Sequence, residues 1–165
     1  MRVISGAAKG KKLKAPPGYD TRPITDRIKE ALFNVIGPDI RNAKFLDLFA
    51  GSGSVGIEAL SRGADLVILV DSGREAVQTI HHNLKACGFE LGYEVYRQDV
   101  FVAIAVLLKR EIKFDLIYID PPFTNEKLFD QVLTALDKQI ILNSDGSIII
   151  RAPRRKTLPL VCSSV

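Results

Sequence analysis

The chain of 165 residues predicts an α/β fold in which one parallel sheet carries helices on both faces. Three observations predict it. From Lys44 onward, short apolar runs of β-propensity alternate with longer stretches of helical periodicity. Gly51, Gly53 and Gly56 stand in G-x-G-x-x-G spacing where the first run gives way to the first helix. Acidic residues recur where strands end or helices begin: Asp47, Asp71, Asp99 and Asp120.

Ahead of this alternation, residues 1–19 hold two strand-like pieces, 2–5 and 11–14, around a Gly6–Gly10 turn, and Pro16-Pro17-Gly18 stops them. A basic hairpin or arm is expected. Thr25 then caps a helix with Asp26 in its first turn and an expected apolar face of Ile28, Ala31, Leu32, Val35 and Ile36, ended by Gly37-Pro38. The alternation proper has strands at 44–49, 66–71, 93–97, 114–119 and 147–151, with helices at 55–62, 74–86, 100–110 and 127–138 between them. Residues 1–43 are thus expected as a basic extension of a body spanning 44–165.

Apolar residues make up 47% and charged residues 25%, a balance that excludes wholesale disorder and fits one globular domain. No run approaches the roughly 18 apolar residues of a membrane span, and the first residues lack a signal-peptide core. A cytoplasmic protein with no membrane partner is expected. Cys87 and Cys162 form no C-x-x-C, and His81 and His82 point about 100° apart on a helix, so neither a disulfide framework nor a metal site is expected. Residues 1–44 carry ten Lys and Arg against four acids, a net +6 that leaves −2 for the remainder. A basic segment on a mildly acidic body points to a polyanion, nucleic acid first. Lys9, Lys11, Lys12, Arg22 and Arg27 are the expected phosphate contacts, with Lys29 beside them at the first helix start.

The glycine spacing supplies a sharp turn, close backbone approach to a ligand and tight helix–strand packing. Asp47 lies four residues ahead of Gly51, facing the helix N-terminus where a pyrophosphate would sit. It would repel a pyrophosphate and attract an ammonium and a sulfonium, which favours S-adenosylmethionine over a dinucleotide. Asp47 capping the loop through backbone N–H groups is the alternative. Asp71, twenty residues past Gly51, is placed to accept from both ribose hydroxyls. Asp99 can accept from an adenine amino group while Val100 or Phe101 covers the ring, or can simply cap the following helix. In Asp120-Pro121-Pro122-Phe123, two prolines stiffen a loop, Phe123 offers a stacking ring, and Asp120 with the Pro121 carbonyl can hold the two hydrogens of an exocyclic base amine. A paired base hides that edge, so the target is single-stranded or flipped out. Glu58 and Asn83 are expected as helix-surface or loop-supporting residues.

MRVISGAAKGKKLKAP, TRPITDRIKEALFNVIG, DLFAGSGSVGIEALSRGA and FDLIYIDPPF, in that order, resemble the RsmD family of class I methyltransferases over about residues 1–151. The resemblance implies a Rossmann-like fold, S-adenosylmethionine as cofactor, and methylation of the N2 amine of a guanine in 16S ribosomal RNA, free or in a small-subunit assembly intermediate. It implies cofactor contacts around Asp47, Phe49, Gly51, Gly53, Asp71 and Asp99, with Ala50, Ser72 and Val100 counted in the same site, and Asp120 to Phe123 at the target base. Phe49 stands where the general class motif has glycine, as is usual for this family. Two departures are noted: Arg151 ends the last strand where an acid is expected, and the β-hairpin that completes a seven-stranded sheet is expected to be missing or truncated, with Leu158–Val161 a poor strand candidate. An adenine-N6 methyltransferase of DNA or RNA is the rival within enzymes. A nucleic-acid-binding protein without catalysis is the rival outside them.

Overall fold

The computed structural model describes residues 1–18, 23–122 and 124–152. Five parallel strands, β1 (Lys44–Asp47), β2 (Leu66–Asp71), β3 (Tyr93–Arg97), β4 (Phe114–Ile119) and β5 (Leu142–Ile150), form one sheet in the order β3-β2-β1-β4-β5. Helices α1 (Asp26–Ile36), α2 (Ser54–Ser61), α3 (Arg74–Ala86), α4 (Val100–Lys109) and α5 (Glu126–Lys138) cover it, with a 3₁₀ turn at Gly37–Ile40. The expected α/β architecture is present.

The period of two along the strands builds two cores. Phe45, Val67, Leu69 and Leu116 face Ile57 of α2 and Ile80 and Leu84 of α3, whereas Leu46, Ile68, Val70 and Ile117 face Ile104 of α4 and Phe129 and Val132 of α5. Burial on both faces explains why β2 reads as an unbroken apolar run, and each such side chain withdrawn from water contributes about 1.5–3 kcal/mol. Strand order reverses between β1 and β4, so the chain leaving these two neighbours diverges and opens a crevice at their carboxyl ends.

The first residues do form a hairpin. Arg2 pairs antiparallel with Lys12, Val3 N donates to Lys11 O and Gly10 N to Val3 O. It is no detached arm: Val3, Ala8 and Leu13 are buried in the core that α2 and α3 share. Its backbone is bound to α2, with the Ile4 and Ser5 amides donating to Glu58, Ala8 N to Ser61 Oγ, and Ala7 N to Ser61 O.

Several expectations change here. Thr25 does cap α1, accepting from Ile28 N at 3.2 Å, but the buried face is Lys29, Phe33 and Ile36, while Ile28 and Val35 are exposed. Lys29 is therefore unavailable to phosphate. It is fully buried, donating to Arg2 O (2.7 Å) and Ser54 Oγ (2.9 Å), with its ammonium 3.4 Å from Glu58. Glu58 is likewise fully buried rather than on a helix surface, and Arg62 Nε donates to it at 2.8 Å. The last strand begins five residues earlier than expected because a bulge between Phe114 and Leu116 in its pairing with β4 accommodates Asn143–Gly146. The strand candidate at Leu158–Val161 lies outside the described residues.

Candidate cofactor and target-base site

The loop after β1 is shaped by its glycines. Gly51 and Gly53 take positive φ (57° and 80°), and Gly53 in the left-handed region starts α2. A Cβ on Gly56 would come within 2.7 Å of Leu69, so glycine there lets α2 lie against β2. The turn and the helix–strand packing are two of the roles the spacing predicted.

Asp71, at the end of β2, ties this loop in place: Gly51 N donates to its Oδ2 and Gly73 N to its Oδ1, each at 2.9 Å. Asp71 also lines the cavity beside this loop. Asn83 of α3, fully buried, holds the loop from the other side, Nδ2 donating to Ser52 O and to Lys14 O while Oδ1 accepts from Lys14 N, all at 2.9 Å. It is the loop-supporting residue of the two roles expected.

A cavity of about 770 Å³ opens at the reversal of strand order. Asp47, Phe49, Ala50, Gly51, Asp71, Ser72, Asp99, Val100, Asp120, Pro121 and Pro122 all line it, so the expected cofactor residues and the proline corner share one space. Gly53 is buried at the start of α2 and is not among the lining residues. Asp99 acts as the N-cap of α4, Oδ1 accepting from Phe101 N at 2.8 Å, and still lines the cavity. Phe123 and Arg22 lie outside the described residues. Lys9, Lys11, Lys12 and Arg27 are exposed on the hairpin and α1, and none lines the cavity.

Sequence reasoning missed two contributions to the lining. Ala15, Pro16, Pro23 and Ile24 bring the basic N-terminal segment to the cavity, and no local pattern marks them. Arg151 was noted only as a departure. Its guanidinium lies 3.1 Å from Asp120 Oδ2, to which Tyr118 Oη also donates at 3.2 Å.

The electrostatics of the cavity set it apart from the rest of the surface. Asp47 is 1% exposed, and its Oδ1 has no hydrogen-bond partner among the described residues. Burial, reinforced by the like charges of Asp120 and Asp71, pushes its carboxyl up to about 8, while the Gly56 and Phe49 N–H groups pull the other way. Burial also raises Asp120 above the usual carboxylate range, with Arg151 and Tyr118 opposing it. Burial lifts the Tyr118 phenol above its ordinary value, so it remains a donor. A buried, orphaned acceptor in an acidic cavity fits a ligand bearing an ammonium and a second cationic centre. The residues present fit S-adenosylmethionine: Asp47 for the ammonium, the Gly51–Gly53 backbone beneath it, Asp71 for ribose hydroxyls, and Asp99 and Val100 for the adenine.

The family model described as "Conserved hypothetical protein 95" matches residues 1–165. The chain belongs to this family, the RsmD family of class I methyltransferases. A Bacillus subtilis protein named "Putative rRNA methyltransferase YlbH" is 46% identical over 159 residues, 96% of this chain and 86% of that protein. Ribosomal RNA small subunit methyltransferase D of Escherichia coli K12 is 32% identical over 161 residues, 98% of this chain and 79% of the relative. Among solved structures, "Putative methyltransferase yhhF from Escherichia coli" matches with a TM-score of 0.84 and 32% identity, covering 99% of this chain and 86% of that one. No helix among the described residues is long and apolar enough to cross a membrane.

Proposed function

We propose that this methyltransferase transfers a methyl group from S-adenosylmethionine to the exocyclic N2 amine of a guanine in 16S ribosomal RNA, free or within an assembling small subunit. The observation that carries the reading is the meeting of Asp47, with its orphaned buried oxygen, and Asp120 of the proline corner in one cavity at the β1–β4 reversal. Ribosomal RNA as substrate is supported by the relatives' names, and guanine N2 by the RsmD resemblance.

S-adenosylmethionine, when bound, supplies a methyl group on a sulfonium that is already a good leaving group. Asp47 would accept from the cofactor's ammonium, which would give its buried Oδ1 a partner. Asp120 accepts a hydrogen of the target amine, favouring the pyramidal geometry in which the nitrogen lone pair leaves the ring π-system. Pro121 and Pro122 hold that carboxylate at a fixed place, so orientation supplies a large part of the rate. Phe123 is proposed to stack on the base. Segment 1–43 is proposed as the RNA-facing extension, with Lys9, Lys11, Lys12, Arg22 and Arg27 on phosphate.

Labelled methyl transfer tests this with four substrates: naked 16S RNA, small subunits from cells lacking the protein, large-subunit RNA and duplex DNA. The label is expected in N2-methylguanosine of small-subunit RNA. Label in N6-methyladenosine supports the rival enzyme, and no binding of S-adenosylmethionine by calorimetry supports the non-catalytic one.

A further inference from the structure

The cavity wall is strongly acidic: Asp47, Asp71, Asp99 and Asp120 line it, and among the described lining residues Arg151 is the one cation. Arg151 follows β5, and its backbone N–H donates to Ile119 O at 3.0 Å, which sets it directly beside the end of β4. From there Nη1 reaches Asp120 Oδ2 at 3.1 Å, both side chains being about one-fifth exposed (21% and 19%). Tyr118 Oη donates to the same oxygen. Both contacts converge on Oδ2, and no described residue hydrogen-bonds Oδ1.

Resting on the function proposed above, we propose that Arg151 is a positioning residue for methyl transfer: with Tyr118 it pins Asp120 through Oδ2 as a carboxylate and leaves Oδ1 to accept from the incoming amine. The need for it follows from the surroundings. Asp120 is four-fifths buried at the end of β4, burial raises its carboxyl and Arg151 is the first of the groups that oppose this, so without a cation the carboxyl tends to keep its proton. A protonated Asp120 offers a donor on one oxygen to an amine that is itself a donor and is a weaker acceptor on the other, so it orients the nucleophile less well. A planar guanidinium also fixes the carboxylate's rotation, which an ammonium does less well. The acid expected at this position would have added to the repulsion.

The test compares wild type, Arg151→Met and Arg151→Lys. With ¹³C-labelled aspartate carboxyls, and the Asp120 signal assigned by Asp120→Asn, the titration midpoint of Asp120 is expected to rise by about one pH unit or more in R151M. The kcat for small-subunit RNA methylation is expected to fall about tenfold at neutral pH, with its acid limb displaced upward and KM for S-adenosylmethionine within about twofold of wild type. R151K is expected to restore most of the midpoint shift and part of the kcat. An Asp120 midpoint and pH profile unchanged in R151M overturn the proposal, as does a higher kcat. If R151M fails to fold, R151K decides: a carboxyl midpoint close to wild type with part of the kcat retained and near-native melting supports a cation held at Oδ2, and a kcat at the level of Asp120→Asn with an unmoved midpoint overturns it. Should wild type methylate no RNA at all, the function falls, while the titration still judges the ion pair.

Discussion

Asp47 combines full burial, an unpartnered Oδ1 and a carboxyl pushed up to about 8, so the price of the cofactor site is predicted to show in the stability of the free protein. An unfolded chain releases this proton near the ordinary carboxylate value of 3.8. Between about pH 4 and pH 8 the folded protein therefore retains a proton that the unfolded chain has lost, and stability falls as pH rises through that window. The slope approaches about 1.4 kcal/mol per pH unit, or roughly 4 kcal/mol between pH 5 and pH 8, and the effect disappears below about pH 4, where both states are protonated. Asp47→Asn removes this titration. At about 2–4 °C per kcal/mol for a chain of this size, the melting temperature of the variant relative to wild type is expected to rise by roughly 10 °C between pH 5 and pH 8. The same substitution removes the anion facing the ammonium, a charge-assisted hydrogen bond of about 2 kcal/mol, and so weakens S-adenosylmethionine binding about thirtyfold. Calorimetric melts across that pH range, with titration calorimetry at pH 7 in two buffers of different ionisation enthalpy, measure both effects. Wild type is expected to release close to one proton on binding, and the variant none. Parallel melting curves for the two proteins, or equal affinities, would refute the reasoning.

Glu58→Gln leaves the buried Lys29 ammonium without its counter-charge and is expected to cost about 3–5 kcal/mol in urea unfolding; a loss below about 1 kcal/mol contradicts the network. Gly6→Ala places a Cβ 1.9 Å from Ser61 O at a φ of +88°. It is expected to destabilise by at least about 2 kcal/mol and to speed hydrogen exchange at the Val3 and Gly10 amides, whereas unchanged exchange contradicts docking of the hairpin on α2. Asn83→Ala severs the link between Lys14 and the glycine loop, with an expected cost of about 1–3 kcal/mol and a several-fold rise in KM for S-adenosylmethionine at nearly constant kcat. A fall in kcat alone would count against that link.

What the sequence made legible is what local chemistry dictates. Gly51, Gly53 and Gly56 announced a turn because positive φ at the first two and the close approach of Leu69 at the third favour glycine, and strand ends were visible because two-sided burial makes β2 a continuous apolar run and β4 one broken only by Asp115. Asp47 was legible as an acid at the wrong place for a phosphate. The face of α1 was not. Lys29 is buried only because Glu58, on a helix that begins 25 residues later, supplies the opposite charge, so the apolar stripe through Ile28 and Val35 misled. Glu58 was missed for the same reason, since its partners are hairpin amides, Lys29 and Arg62 rather than solvent. The start of β5 was hidden by a bulge that admits Asn143–Gly146, residues with poor strand propensity. Arg151 was visible as an anomaly, but its partner became apparent only once β4 and β5 were side by side.

A crystal structure of the protein with S-adenosylhomocysteine, which keeps the ammonium and lacks the methyl group, tests the central claim most directly. The account predicts the ligand ammonium within hydrogen-bonding distance of Asp47 Oδ1, the ribose at Asp71, and the sulfur turned toward Asp120 in the same cavity. A ligand with its ammonium away from Asp47, or with its sulfur on the far side of the glycine loop from the proline corner, would contradict it.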